Sequence, residues 1–184
     1  MASILQVEQI KGPTSGASAN TIEIPSGQTL DVNGTLTGDG SNLTGITTGK
    51  VLQVVQDTDS TPRDTTSTTF QDTGLSVSIT PSSTSSKILI MVSQAGTHTA
   101  SGGDYQMRYH LFKDGSELSR IADVLGMTGT AGGFAWSYLD SPATTSAITY
   151  ATKFAARNSG YTVSLNYYGS TTIESTIIAM EIGA

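Results

Sequence analysis

The stretch "KILIMVS" (residues 87–93) decides the fold class, because its apolar residues fall on both faces of an extended chain. Such a segment is typical of a strand in the middle of a sheet, covered on both sides. The closing "STIIAMEIGA" (175–184) repeats the pattern, with Ile178, Met180 and Ile182 on one side and Ile177 and Ala179 on the other. The sequence therefore predicts two central strands with both faces covered.

The segments around these two strands alternate between apolar and polar residues, which indicates half-buried strands. "LSVSIT" (75–80), "YQMRYHLF" (105–112), "FAWSYLD" (134–140), "ITYATKFAAR" (148–157) and "YTVSLNYY" (161–168) each predict one strand. Thr, Ser and Gly make up about two residues in five, and this composition favours strands and turns. We expect an all-β chain whose residues 50–184 form an antiparallel β-sandwich of the jelly-roll type.

One segment leaves two alternatives open. In "SELSRIADVLG" (116–126) the apolar residues Leu118, Ile121, Ala122 and Leu125 fall at helical spacing, and Ser116 could cap a helix. A strand after the Asp114-Gly115 turn is the other interpretation. The sequence does not choose between a short helix and a strand here.

Residues 1–49 carry only short apolar pairs between turn residues, as in "IPSGQTLDVNGTLTGDGSNLTGI" (24–46). One copy of such a segment buries too little apolar surface to offset an ordering entropy of about 1–2 kcal/mol per residue. Three copies around one axis could do so, which predicts a short trimeric β-shaft and docking arm. A flexible leader rich in Gly, Ser and Thr is the alternative. We place the domain boundary near residue 50.

Charge and composition exclude several classes of partner. The net charge is -6, and only 13% of the residues are charged, which argues against a nucleic-acid backbone or an anionic membrane. The chain has no Cys, so it can form no disulfide framework and no cysteine-based zinc site. We expect no cofactor, and we expect the protein to be assembled in a cytoplasm.

Few residues suit catalysis. His98 and His110 are the only neutral-pH bases, and both are predicted to be surface or loop residues, His110 on the solvent face of its strand. Asp57, Asp59 and Asp64 flank one loop that could hold Ca²⁺ or supply a pair of hydrolytic carboxylates, but solvated turn aspartates are the favoured interpretation. We expect no enzymatic activity and no metal site.

Several segments resemble one class of protein. "TPSSTSSKILIMVS", "LFKDGSELSR", "YLDSPATTSAITYATKFAARN" and "STIIAMEIGA" are similar to the C-terminal head domains of bacteriophage tail-fibre and virion-fibre proteins. The leader with its "GDGSNLTGI" resembles the shaft segments that precede such heads. The resemblance implies a homotrimeric virion appendage with a tumour-necrosis-factor-like jelly-roll head. It also implies that residues 1–20 dock on other virion proteins.

The resemblance leaves two functions open: attachment to a host surface glycan or protein, and a structural role as a capsid decoration or tail-junction protein. For attachment, three polar loops are the candidates, since loops on a rigid scaffold carry binding residues. They are residues 94–104, 126–133 and 166–172, and their candidate contacts are His98, Thr130, Asn166 and Tyr168.

Overall fold

The structure is a computed structural model, and it describes residues 50–99, 106–125 and 132–183. The leader and the predicted boundary near residue 50 lie outside these residues or at their edge, and both stay predictions. No helix of the described part is long and apolar enough to cross a membrane.

The described residues form twelve strands: β1 (Val51–Asp59), β2 (Arg63–Thr65), β3 (Gln71–Ile79), β4 (Lys87–Thr99), β5 (Met107–Lys113), β6 (Ser116–Leu125), β7 (Gly132–Asp140), β8 (Ile148–Ala156), β9 (Val163–Leu165), β10 (Tyr167–Tyr168), β11 (Thr171–Thr172) and β12 (Ser175–Ile182).

The strands form two main antiparallel sheets. The first contains β1–β12–β4–β9–β2, with β7 paired to the other side of β4, and the second has the order β3–β8–β5–β6. From β3 to β8 the chain passes repeatedly from one sheet to the other, and β12 returns between β1 and β4. Four strands of one sheet in the order β1–β12–β4–β7 thus face four of the other, which is the arrangement of a jelly roll. The predicted all-β jelly-roll sandwich is confirmed.

The core lies between the two sheets and is built by the alternating residues that the sequence indicated. Leu75, Val77 and Ile79 on β3 are buried, as are Ile148, Tyr150 and Phe154 on β8. On β7, Phe134, Trp136 and Tyr138 share one face and pack against this core. Since each of these sets recurs at every second residue, the period-2 pattern alone was enough to place them.

The ambiguous segment 116–126 forms strand β6 over Ser116–Leu125, so the helical alternative is wrong. Its backbone pairs with β5, where Lys113 faces Ser116 and His110 faces Arg120. The Asp114-Gly115 turn, with φ values of 48° and 82°, folds β6 back onto β5. Pairing in a hairpin therefore overrides the helical spacing of the apolar residues.

Strand β4 is longer than predicted, because residues 94–99 belong to the strand and not to a loop. A bulge lies between Gln94 and Thr97, where the register with β7 shifts. Gly96 in this bulge has a φ of 58°, and a Cβ there would lie 2.8 Å from the carbonyl carbon of Asn166. Only glycine fits this backbone contact, and the bulge redirects β4 so that His98 and Thr99 pair with β9.

Candidate functional site

Asn166 lies at the end of the sandwich where β4, β9 and β10 meet. Its φ of 65° breaks the single strand predicted over 161–168 into β9 and β10. The side chain is 1% exposed, so the expectation that Asn166 contacts a receptor is wrong. Asparagine tolerates positive φ better than most residues and carries an amide with donors and acceptors. These properties suit a buried turn as well as an exposed loop.

The Asn166 side chain is the hub of a buried hydrogen-bond network. Its Oδ1 accepts bonds from Gln94 Nε2 and from Ser175 Oγ, each at 2.7 Å. Its Nδ2 donates to Asp59 Oδ2 at 2.8 Å and to the carbonyl oxygen of Thr61 at 3.0 Å. Asp59 ends β1, Gln94 lies on β4 and Ser175 begins β12. The network therefore joins these three strands to the turn that starts at Asn166.

The network continues through the core to the second sheet. The Tyr109 hydroxyl on β5 donates to Gln94 Oε1 at 2.7 Å and lies 2.8 Å from Thr152 Oγ1. Thr152 Oγ1 in turn lies 2.6 Å from Thr73 Oγ1. Burial raises the pKa of Tyr109, so the hydroxyl stays protonated and can donate. These polar groups are buried with partners and therefore fix how the two sheets meet.

The residues 167–172 form a small hairpin on top of this network. Tyr167 pairs with Thr172, Tyr168 pairs with Thr171, and Gly169, Ser170, Thr171 and Thr172 are exposed. The Tyr167 hydroxyl donates to Asp64 Oδ1 at 2.8 Å, which ties the hairpin to β2. The hairpin is thus an exposed tip on an anchored base.

The other predicted contact residues are only partly described. Tyr168 belongs to β10, and His98 lies in β4 opposite Ser164, not in a loop, but their side chains lie outside the described part. Thr130 lies outside the described residues altogether. The structure therefore removes Asn166 from the candidate set and leaves His98, Tyr168 and Thr130 as predictions.

The three acids near the 60–62 turn do not converge. Asp57 Oδ2 accepts a bond from the amide of Ser76 at 3.0 Å, while Asp59 pairs with Arg63 and Asn166. Asp64 instead accepts the bond from Tyr167. Within the described ranges, no three His, Asp or Glu side chains come close enough together to hold a metal ion. Each acid therefore stabilises a different strand junction.

His110 is buried, at 2% exposure, so its predicted place on the solvent face is wrong. Its position on β5 does point outward from the core, but Phe70 covers it, with ring centroids 4.4 Å apart. Glu117 Oε2 lies 3.2 Å from its Nδ1. Phe70 ends the connection between β2 and β3, and no pattern within β5 could indicate that this connection crosses the sheet.

The outer face of the sheet β1–β12–β4–β7 carries an exposed apolar surface, whereas the sequence predicts that both faces of β4 and β12 are covered. Val54, Met180, Leu89 and Leu139 face one another in register across the four strands. Val54 is 53% exposed and Leu139 50%. Such a surface often marks a site of protein association. The doubly apolar strands "KILIMVS" and "STIIAMEI" were the signal for it.

Comparison with known proteins gives no family. No protein-family model and no curated protein matches the chain. Among the solved structures with a partial likeness to the chain, two come from one virus. The VP2 subviral particle of infectious bursal disease virus has 15% identity and a TM-score of 0.42, with 92% of this chain and 40% of that chain covered. A structure of the Gt strain of this virus has 16% identity and a TM-score of 0.34, with 94% and 46% covered. The chain thus spans less than half the length of each, and TM-scores below 0.5 carry no argument about function.

Proposed function

We propose that the chain is a structural component of a virion, a short trimeric fibre or knob whose head attaches the particle to a host surface. The resemblance of residues 80–184 to the heads of phage fibres supports this proposal. The observation that carries it is the pairing of a jelly-roll head with an apolar outer sheet face, on whose described strands Lys87 at the margin is the one charged side chain. A head of this kind suits association of copies beneath an exposed, polar tip.

Attachment would be carried by the tip, since its base is rigid and its surface residues are free to vary. The 167–172 hairpin is the described part of that tip, and Tyr168 offers a ring for stacking on a sugar. His98, on the neighbouring end of β4, and Thr130 would complete the contact surface. The proposed role is non-enzymatic. Residues 1–20 would dock on other virion proteins.

The test is competition for adsorption with the purified full-length protein. If the head binds the host, the protein should occupy host cells and slow adsorption of the particle. Tyr168→Ala and His98→Ala should weaken this competition while the melting temperature stays nearly unchanged. Thr149→Ala, an exposed position on the other sheet, is the matched control and should compete like wild type. Full-length protein that neither binds cells nor competes would favour the decoration or tail-junction role instead.

A further inference from the structure

The outer faces of the two sheets differ in charge. The face of β3–β8–β5–β6 carries ion pairs, among them Lys153 with Asp72 at 2.9 Å and Arg120 with Glu117 at 3.2 Å. On the described strands of the opposite face, Lys87 at the margin is the one charged side chain. Charged residues are typically depleted at the centre of an association surface. Only the β1–β12–β4–β7 face has that composition.

This face is also uneven, with projecting side chains on one strand and a depression over others. On one flank, β1 presents three exposed apolar side chains, Val51, Leu52 and Val54, with exposures of 56%, 46% and 53%. Toward the other flank lies a depression of about 330 Å³. Its floor and walls come from β4, β7 and β12, and include Met91, Ser93, Ala135, Ser137, Thr176 and Ile178. The depression exists because β7 places small residues, Ala135 and Ser137, beside the larger Met91 and Ile178.

We propose that a second copy of this chain covers the face, with Val54 and Leu52 on β1 of one copy entering the depression over β4 and β7 of the next. This inference rests on the trimer of the proposed function and names its contact. The depression is centred on β4, which lies two strand spacings or about 10 Å from the projecting side chains of β1. A chain therefore cannot fill its own depression with β1, but a neighbour can.

A contact between two different patches is heterologous, and heterologous contacts form closed rings when the rotation closes. Both patches are uncharged, so neither needs a partner of opposite charge. Four strands over about seven residues give a flat area of roughly 450 Å². That is more than half of the ~800 Å² that each partner contributes to a standard interface. The polar Gln56 and Thr58 on β1, at one margin, suit the rim of such an interface.

Disulfide trapping in the full-length chain tests the contact directly, because the natural sequence has no Cys. The double variant Val54→Cys with Ser137→Cys should form covalent trimers under mild oxidation. Within one chain these positions are three strand spacings across and two residues along the sheet from each other, about 16 Å, too far for the ~5.5–6 Å Cα separation of a disulfide. Each single variant should stay uncrosslinked, since identical positions do not meet in a heterologous contact.

Filling the depression is the second arm. Ser137→Trp should weaken association at least tenfold without changing the circular dichroism spectrum, whereas Ser78→Trp, on the outer face of the other sheet, should have no effect. If wild type is trimeric but Ser137→Trp associates normally and the double cysteine variant gives no crosslinks, the interface lies elsewhere and this inference is wrong. If wild type is monomeric at micromolar concentration, the proposed trimer itself is wrong.

Discussion

Replacing Asn166 by glycine keeps a residue that tolerates a φ of 65° but deletes the side chain at the centre of the buried network. Gln94 and Ser175 then lose the acceptor they share, and Asp59 loses a donor. Four hydrogen bonds to the amide are lost, each worth about 0.5–1.5 kcal/mol, while Gln94, Ser175 and Asp59 each keep another partner. We expect Asn166→Gly to lower the free energy of unfolding by about 2–4 kcal/mol.

The Asn166→Ala variant distinguishes the contribution of the hydrogen-bond network to stability from the contribution of the backbone conformation. Alanine deletes the same amide but adds a Cβ at positive φ, which costs a further ~1–2 kcal/mol. The order of stability should therefore be wild type, then Asn166→Gly, then Asn166→Ala. The exposed Asn158 is the matched control, and Asn158→Ala should change the free energy of unfolding by less than about 0.5 kcal/mol.

The assay is urea unfolding followed by the fluorescence of the single tryptophan, Trp136, which packs against the core. All variants are compared at one protein concentration, because association stabilises the folded state by mass action. An Asn166→Gly variant within about 0.5 kcal/mol of wild type would refute the network argument. Equal stability of the glycine and alanine variants would refute the backbone argument alone.

Three further predictions concern other parts of the sandwich. Burial disfavours the charged form of Glu181, but hydrogen bonds from Ser82 and Gln53 outweigh this effect. They hold the pKa of Glu181 at about 2, below the ordinary 4.5. The stability that the charged carboxylate contributes to the fold is therefore present above pH 4.5 and is lost as the pH falls toward 2. Glu181→Gln should therefore cost about 2 kcal/mol at pH 7 and lose that pH dependence in thermal melts, and unchanged acid sensitivity would contradict this. Gly96→Ala should cost more than ~3 kcal/mol by urea unfolding, because the bulge cannot hold a Cβ, and a loss under 1 kcal/mol would be inconsistent with that packing. Tyr150→Phe removes the 2.6 Å bond to the buried Asp140 and should cost about 1–2 kcal/mol in the same assay, whereas a neutral effect would mean that Lys113 alone satisfies this carboxylate.

The sequence predicted the strands whose apolar residues repeat at every second position, because that pattern is local. Leu75, Val77 and Ile79 are one such set, and their burial needed no knowledge of the rest of the chain. The choice between helix and strand at 116–126 was different, since pairing with β5 decided it. Local spacing cannot reveal a partner strand.

The candidate site was harder to predict than the fold. The turn residues around Asn166 predict an exposed loop, yet its amide is buried because it bonds to Gln94 and Ser175, which are distant in sequence. His110 has the outward phase that the pattern indicated, and Phe70 then covers it from a connection with no periodicity. Strands with apolar residues on both sides indicate the apolar outer face. The strand pattern does not distinguish a third layer of the same chain from another copy as the group that covers this face.

The mass of the full-length protein in solution tests the central claim most directly. Sedimentation at micromolar concentration should give three times the chain mass of 19.1 kDa, and it should do so without dependence on ionic strength, because the proposed contact is uncharged. A single species of 19.1 kDa at that concentration would contradict the account of a trimeric fibre head.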